Sequence, residues 1–78
     1  MSPAPDRQHI LGIDWLVTIT ACPLGYAWEV TKDAARCSRA QLLGPGTSSG
    51  YAVDLQAARE ATWRAAVQMA AETWLASR

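Results

Sequence analysis

The sequence has no excess of charge of either sign. Seven lysine and arginine residues balance seven aspartate and glutamate residues, so the formal net charge is zero. A basic surface that attracts nucleic acid and an acidic surface that mimics it both require a strong imbalance. We therefore expect no direct nucleic-acid partner.

Long hydrophobic runs are also missing. The longest apolar stretch begins at Trp15, is interrupted by Thr18 and Thr20, and ends at Pro23. A membrane-spanning helix needs roughly 20 apolar residues. A secretory signal needs a cationic start, an apolar stretch and a small-residue cleavage site in that order, and the sequence does not have this pattern. We expect a cytoplasmic protein with no membrane segment.

Residues that bind metals or act as nucleophiles are scarce. The chain has one histidine, His9, and two cysteines, Cys22 and Cys37, with no CxxC pair. A zinc site needs three or four Cys or His ligands at short paired spacings. Ser48 and Ser49 have no positioned base unless His9 reaches them. The sequence therefore predicts no metal, no cofactor and no enzymatic activity, and two reduced thiols.

The composition is that of one small globular unit. Half of the 78 residues are apolar and 18% are charged, which suits a single thin core and leaves no room for a second domain. The first residues contain two prolines and only isolated apolar side chains. We expect a mobile N-terminal tail over residues 1–12 and one domain over residues 13–78.

Two alternating runs predict a β-hairpin. The first runs from Trp15 to Cys22 and is rich in β-branched residues, and the second runs from Tyr26 to Lys32. Between them, Pro23-Leu24-Gly25 predicts a turn. The alternation places Trp28 and Val30 on the same face of the second strand as Tyr26, and we expect that face to be in the core.

The segment from Ala34 to Leu43 allows two interpretations. Asp33 as an N-cap and the Gly44-Pro45 stop suit a short helix, but the apolar positions share no helical face. We favour a third strand with Arg36 and Arg39 on an exposed edge. Residues 44–50 are then expected to form a flexible loop.

The strongest element is a helix from Leu55 to about Ala76. It has eight alanines, no glycine or proline, and Asp54 as its N-cap. Its apolar side includes Trp63 and Trp74. The sequence therefore predicts an α+β fold, a three-stranded antiparallel β-meander packed against one long C-terminal α-helix (βββα).

The helix is longer than the predicted strands. A 22-residue helix is about 33 Å long and an eight-residue strand about 26 Å, so the last turn with Trp74 and Leu75 should overhang. Either Trp74 folds back onto the helix, or Trp74 and Leu75 form a contact patch. Because so small a core is often supplemented by oligomerisation, we also expect a homodimer. The candidate dimer interfaces are the overhanging helix end and the sheet face that carries Leu16 and Cys22.

The order of elements resembles that of small βββα proteins of phages and prophages. The residues that carry this likeness are Trp15-Leu16-Val17-Thr18-Ile19-Thr20, Tyr26-Ala27-Trp28-Glu29-Val30, Ser38-Arg39-Ala40 and Gln68-Met69-Ala70-Ala71-Glu72-Thr73-Trp74. These proteins include anti-CRISPR proteins that act on type I systems, and the likeness covers most of residues 13–76.

The resemblance implies inhibition by binding. Such a protein occupies a surface of a type I CRISPR surveillance complex or its nuclease and blocks recognition or cleavage of target DNA. On that basis we expect partner contacts at Trp74 and Leu75, with Arg36, Arg39 and Tyr51 at the rim. The alternative is a homodimeric phage or bacterial accessory protein-interaction module unrelated to CRISPR.

Overall fold

A four-stranded antiparallel sheet carries one long helix on one of its faces in the computed structural model, which describes residues 5–78. Each strand pairs with its neighbours in sequence. The elements are β1 (Asp6–Ile10), β2 (Ile13–Cys22), β3 (Gly25–Lys32), β4 (Thr47–Ala52) and α1 (Leu55–Ala76). The α+β class is confirmed, and the sheet has four strands instead of the predicted three.

β1 lies in the stretch expected to be a tail. It pairs with β2 in a register that sets Ile10 opposite Ile13, and both isoleucines are buried. The turn residues Leu11 and Gly12 have φ values of 52° and 81°, as in the two-residue turns that match the twist of paired strands. The expected tail over residues 1–12 is therefore wrong for residues 6–10, because backbone pairing orders a segment with few apolar side chains. Residues 1–4 lie outside the described residues.

β2 and β3 confirm the predicted hairpin. β2 begins two residues earlier than predicted, at Ile13, and β3 begins at Gly25. The register sets Val17 opposite Val30 and Ile19 opposite Trp28, so these side chains share the face that α1 covers. The predicted position of Tyr26 and Trp28 on the helix side is confirmed.

The predicted third strand over residues 34–43 is wrong. This segment contains two single turns of 3-10 helix, Ala34–Arg36 and Ala40–Leu42. The amide of Ser38 donates to the side chain of Gln41 at 2.9 Å, and the amide of Gln41 donates to the Ser38 hydroxyl at 3.3 Å. Reciprocal side-chain bonds of this kind close a local turn, so the segment does not pair with β3.

β4 takes that place on β3 instead. It covers most of the segment expected to be a flexible loop, and its register sets Gly50 opposite Trp28 and Ser48 opposite Val30. The indole of Trp28 lies over Gly50, where an added Cβ would be 2.7 Å from the ring atom Cζ2. The loop expectation failed because Thr-Ser-Ser-Gly has a loop composition, whereas the pairing depends on the β3 backbone.

α1 has the predicted bounds. The Asp54 carboxylate accepts a hydrogen bond from the amide of Ala57 at 2.7 Å, which confirms the N-cap. Trp63 and Trp74 belong to the predicted apolar side, but both are exposed. The buried side of the helix is formed by Ala58, Thr62, Ala66, Met69, Ala70 and Thr73.

The last turn of α1 does not overhang, which corrects the length argument. With ten residues, β2 is about 33 Å long and matches the helix. The turn between β1 and β2 then lies beneath the end of α1. There the indole N–H of Trp74 donates to the carbonyl of Leu11 at 3.1 Å.

We expect a Gly50→Ala substitution to destabilise the fold by about 1–3 kcal/mol, because the new methyl group would displace the half-buried Trp28 indole. Gly46→Ala is the matched control, since a Cβ at Gly46 has no neighbour within 4 Å. Urea denaturation monitored by circular dichroism measures both. Equal midpoints for the two variants would contradict the close packing of Trp28 on Gly50.

Candidate protein-binding surface

The single histidine is held in a strand and paired with a carboxylate. His9 lies in β1 opposite Asp14, and its Nδ1 is 3.0 Å from the Asp14 carboxylate. Nucleophilic catalysis would also need a serine or cysteine beside this pair. Ser48 and Ser49 lie in β4, at the opposite edge of the sheet from β1. The serines are therefore at least three strand spacings, about 14 Å, from the imidazole.

The two cysteines are free thiols. Burial raises the pKa of Cys37, and the neighbouring Lys32 ammonium only partly offsets this effect. A raised pKa keeps the thiol neutral and weakly nucleophilic.

Among residues 5–78, no group of three or more His, Cys, Asp or Glu side chains could hold a metal ion. No helix in this part of the chain is long and apolar enough to cross a membrane.

Lys32 is buried at the end of β3 and serves as a structural donor. Its ammonium donates to the carbonyl of Leu43 at 2.8 Å and to the Thr73 hydroxyl at 2.6 Å. Burial lowers the pKa of Lys32, and the proximity of Cys37 opposes that shift. The Thr73 hydroxyl lies 2.9 Å from the carbonyls of both Leu43 and Met69. These bonds tie β3, the segment before β4 and α1 together.

The most exposed apolar side chains lie together at the other end of the sheet. Leu24 is 96% exposed in the turn between β2 and β3, Tyr51 is 82% exposed in β4, and Val53 is 81% exposed just after it. Leu24 and Tyr51 line one open concavity of about 510 Å³ with Cys22, Pro23, Gly25 and Ala52. We call the surface formed by Pro23, Leu24, Tyr51 and Val53 the turn patch.

Gly25 allows the β2–β3 turn to lie close to the end of β4. Gly25 has a φ of 153°, and a Cβ there would clash with the carbonyl of Ala52 and lie 3.4 Å from the Cα of Val53. A side chain at this position would therefore push the β2–β3 turn away from the end of β4. The glycine holds Leu24 next to Tyr51 and Val53.

The two contact residues predicted at the end of α1, Trp74 and Leu75, have different surroundings. Trp74 is 41% exposed, and its indole is directed to the β1–β2 turn, where it bonds to Leu11 and lies against Gly12. Leu75 is 62% exposed and lies in the last turn of α1. The indole of Trp74 thus has a structural contact that Leu75 lacks.

The two predicted rim arginines lie in the segment after β3. Arg36 is in the first 3-10 turn, with its Nε 3.7 Å from the carboxylate of Asp33, and Arg39 precedes the second turn. Gln41 of that second turn donates to the carbonyl of Gly12 at 2.8 Å. Arg36 and Arg39 are therefore at the same end of the sheet as Trp74.

Tyr51 is separated from the other four predicted residues. It pairs with Ala27 near the start of β3, whereas the arginines follow the end of β3. Its neighbours Leu24 and Val53 were not predicted as binding residues. An exposed leucine between proline and glycine in a predicted turn was the available signal, because turn positions are mostly solvent-exposed.

Comparison of the chain with protein-family models, with curated proteins and with solved structures finds no significant match.

We expect Thr73→Val to destabilise the fold by about 1–3 kcal/mol, because it removes the hydroxyl that accepts from the buried Lys32 ammonium. Thr62→Val is the matched control. Thr62 is also buried in α1, but within residues 5–78 its hydroxyl donates only to the helix carbonyl of Arg59 at 2.8 Å. Urea denaturation at neutral pH measures both free energies of unfolding. An equal loss in the two variants would refute a special role for the Lys32 contact.

We expect Trp74→Phe to lower the free energy of unfolding by about 1 kcal/mol, because it keeps an aromatic ring against Gly12 and loses the bond to Leu11. Trp63→Phe is the control, since Trp63 is exposed and no hydrogen bond of its indole is found in residues 5–78. Thermal unfolding compares the two. The structural role of Trp74 is refuted if both substitutions are equally mild.

Proposed function

We propose that this protein acts by binding another protein through the turn patch, without catalysing a reaction. The observation that supports the proposal is the clustering of Leu24, Tyr51 and Val53, each more than 80% exposed. Large contiguous apolar areas are unusual on soluble monomers and mark interaction sites. Tyrosine is also enriched among the residues that dominate binding energy.

The shape and chemistry of the patch suit an apolar protrusion of a partner. The concavity between Leu24 and Tyr51 is lined mainly by apolar atoms, and none of its lining residues carries a charge. An inserted aliphatic or aromatic side chain would gain burial without having to desolvate a charged group. A phosphate backbone would find no cation in this concavity, which favours a protein partner over a nucleic acid.

The partner that we propose is a subunit of a type I CRISPR surveillance complex or its nuclease. The support is the resemblance of the predicted hairpin and alanine-rich helix to phage-encoded anti-CRISPR proteins. The zero net charge favours a specific protein contact over occupation of a nucleic-acid channel. Binding would then block recognition or cleavage of target DNA in the cytoplasm of the host cell.

The experiment combines a plaque assay with co-purification. We expect expression of the wild-type protein in a host immunised by a type I system to restore plaque formation, and the tagged protein to retain the surveillance complex or nuclease. We expect Leu24→Asp to weaken partner binding about thirtyfold, because a charge would have to be buried in an apolar contact.

Leu75→Asp is the matched control for this experiment. It makes the same change at another exposed leucine, at the opposite end of the molecule. Retained binding with Leu75→Asp and lost binding with Leu24→Asp support the turn patch. The reverse result would overturn the turn patch and favour the helix end. A wild-type protein that neither restores plaques nor retains a type I component would overturn the CRISPR partner.

A further inference from the structure

The free edge of β4 differs from the other edge of the sheet. β1 carries Asp6 and Arg7, and charged residues on an edge strand oppose pairing with other chains. β4 has the sequence Thr-Ser-Ser-Gly-Tyr-Ala, with no charged residue and no proline. The β4 edge therefore lacks the usual protection against strand addition.

The register shows which backbone groups of β4 face outward. The amide of Lys32 donates to the carbonyl of Gly46 at 2.9 Å, so these opposed residues form a hydrogen-bonded pair. Such pairs alternate along an antiparallel ladder, so Ser48 and Gly50 also direct their backbone groups toward β3. The N–H and C=O groups of Thr47, Ser49 and Tyr51 then point away from the sheet.

An unsatisfied buried donor lies beside this edge. The indole N–H of Trp28 is buried and has no hydrogen-bond partner among residues 5–78. The indole lies over Gly50, with Nε1 3.2 Å from the position a Cβ would occupy. Trp28 also lines a groove of about 420 Å³ between α1 and β4. A buried donor without an acceptor is costly, so a partner at this edge should bring an acceptor to it.

We infer that β4 pairs with β4 of a second copy of this chain, antiparallel, with Ser49 on the two-fold axis. In this register Ser49 faces Ser49 of the second copy, and Thr47 faces Tyr51 in both directions. All three outward-facing residues on each strand are then used, which gives roughly six backbone hydrogen bonds. Because the strand is uncharged, no like charges meet across the axis.

The same register also serves the Trp28 indole. It places Ser48 of the second copy opposite Gly50, as a close pair on the α1 side of the sheet. Gly50 has no side chain, so the serine hydroxyl of the second copy lies next to the edge of the Trp28 indole and accepts from Nε1 once the ring turns toward it. A register centred on Ser48 would pair Tyr51 with Pro45, which has no amide hydrogen. The Ser49-centred register is the one that uses the whole strand.

A charge exchange at position 49 tests this dimer with the full chain. We expect Ser49→Lys and Ser49→Glu each to weaken dimerisation about tenfold or more, because like charges would face each other across the axis. An equimolar mixture of the two variants should dimerise again. Thr20→Lys adds the same charge on the same sheet face in β2, away from the edge, and should remain dimeric. Analytical ultracentrifugation measures the dissociation constants.

Amide hydrogen exchange provides a second readout. In the wild-type dimer the amides of Thr47, Ser49 and Tyr51 should exchange more slowly than in Ser49→Lys, whereas the Ser48 and Gly50 amides should be equally protected in both.

A wild-type protein that is monomeric at about 1 mM, where even a weak dimer would form, overturns the inference. A dimer with unprotected Thr47, Ser49 and Tyr51 amides, or a mixture that stays monomeric, also overturns it. The dimer uses the backbone of Tyr51 but not Leu24, so these outcomes do not decide the turn-patch proposal, which is tested at Leu24.

Discussion

Burial of the Trp15 indole between the sheet and α1 is the constraint on which the rest of the structure depends. Trp15 is fully buried, and its indole N–H donates to the carbonyl of Ile10 at 3.2 Å, which secures β1 to the sheet. Ala66 and Ala70 of α1 are also fully buried and have no bulk beyond a methyl group. The helix axis can therefore lie close to the sheet, and one large aromatic residue fills much of a thin core.

The elements that depend on their own side chains were predictable from the sequence. β2 and β3 have clear apolar alternation, and α1 has an N-cap and a long alanine-rich run. β1 and β4 were not predictable in this way, because Ile10 is the one buried apolar residue of β1 and β4 reads as a polar loop. Both strands are held by backbone hydrogen bonds to the neighbouring strand. These bonds do not require particular side chains, so the local composition gives little indication of them.

The same distinction separates the parts of the binding surface. Tyr51 was expected at the rim of a contact surface on the basis of the resemblance, but its neighbours Leu24 and Val53 come from a turn and a linker that only the folded sheet brings together. The last turn of α1 with Trp74 was expected to overhang because β1 and the turn at Leu11 and Gly12 were assigned to a tail. Neither of the two alternatives considered for Trp74 therefore included its bond to Leu11.

The sequential strand order has a kinetic consequence. Two-residue turns join β1 to β2 and β2 to β3, so the chain closes only short loops to build most of the sheet. Hairpins of this size form in about 1–10 μs. The contacts of α1 with Lys32 and Leu11 connect residues 41 and 63 positions apart, so docking of the helix has to close much longer loops than the hairpins do.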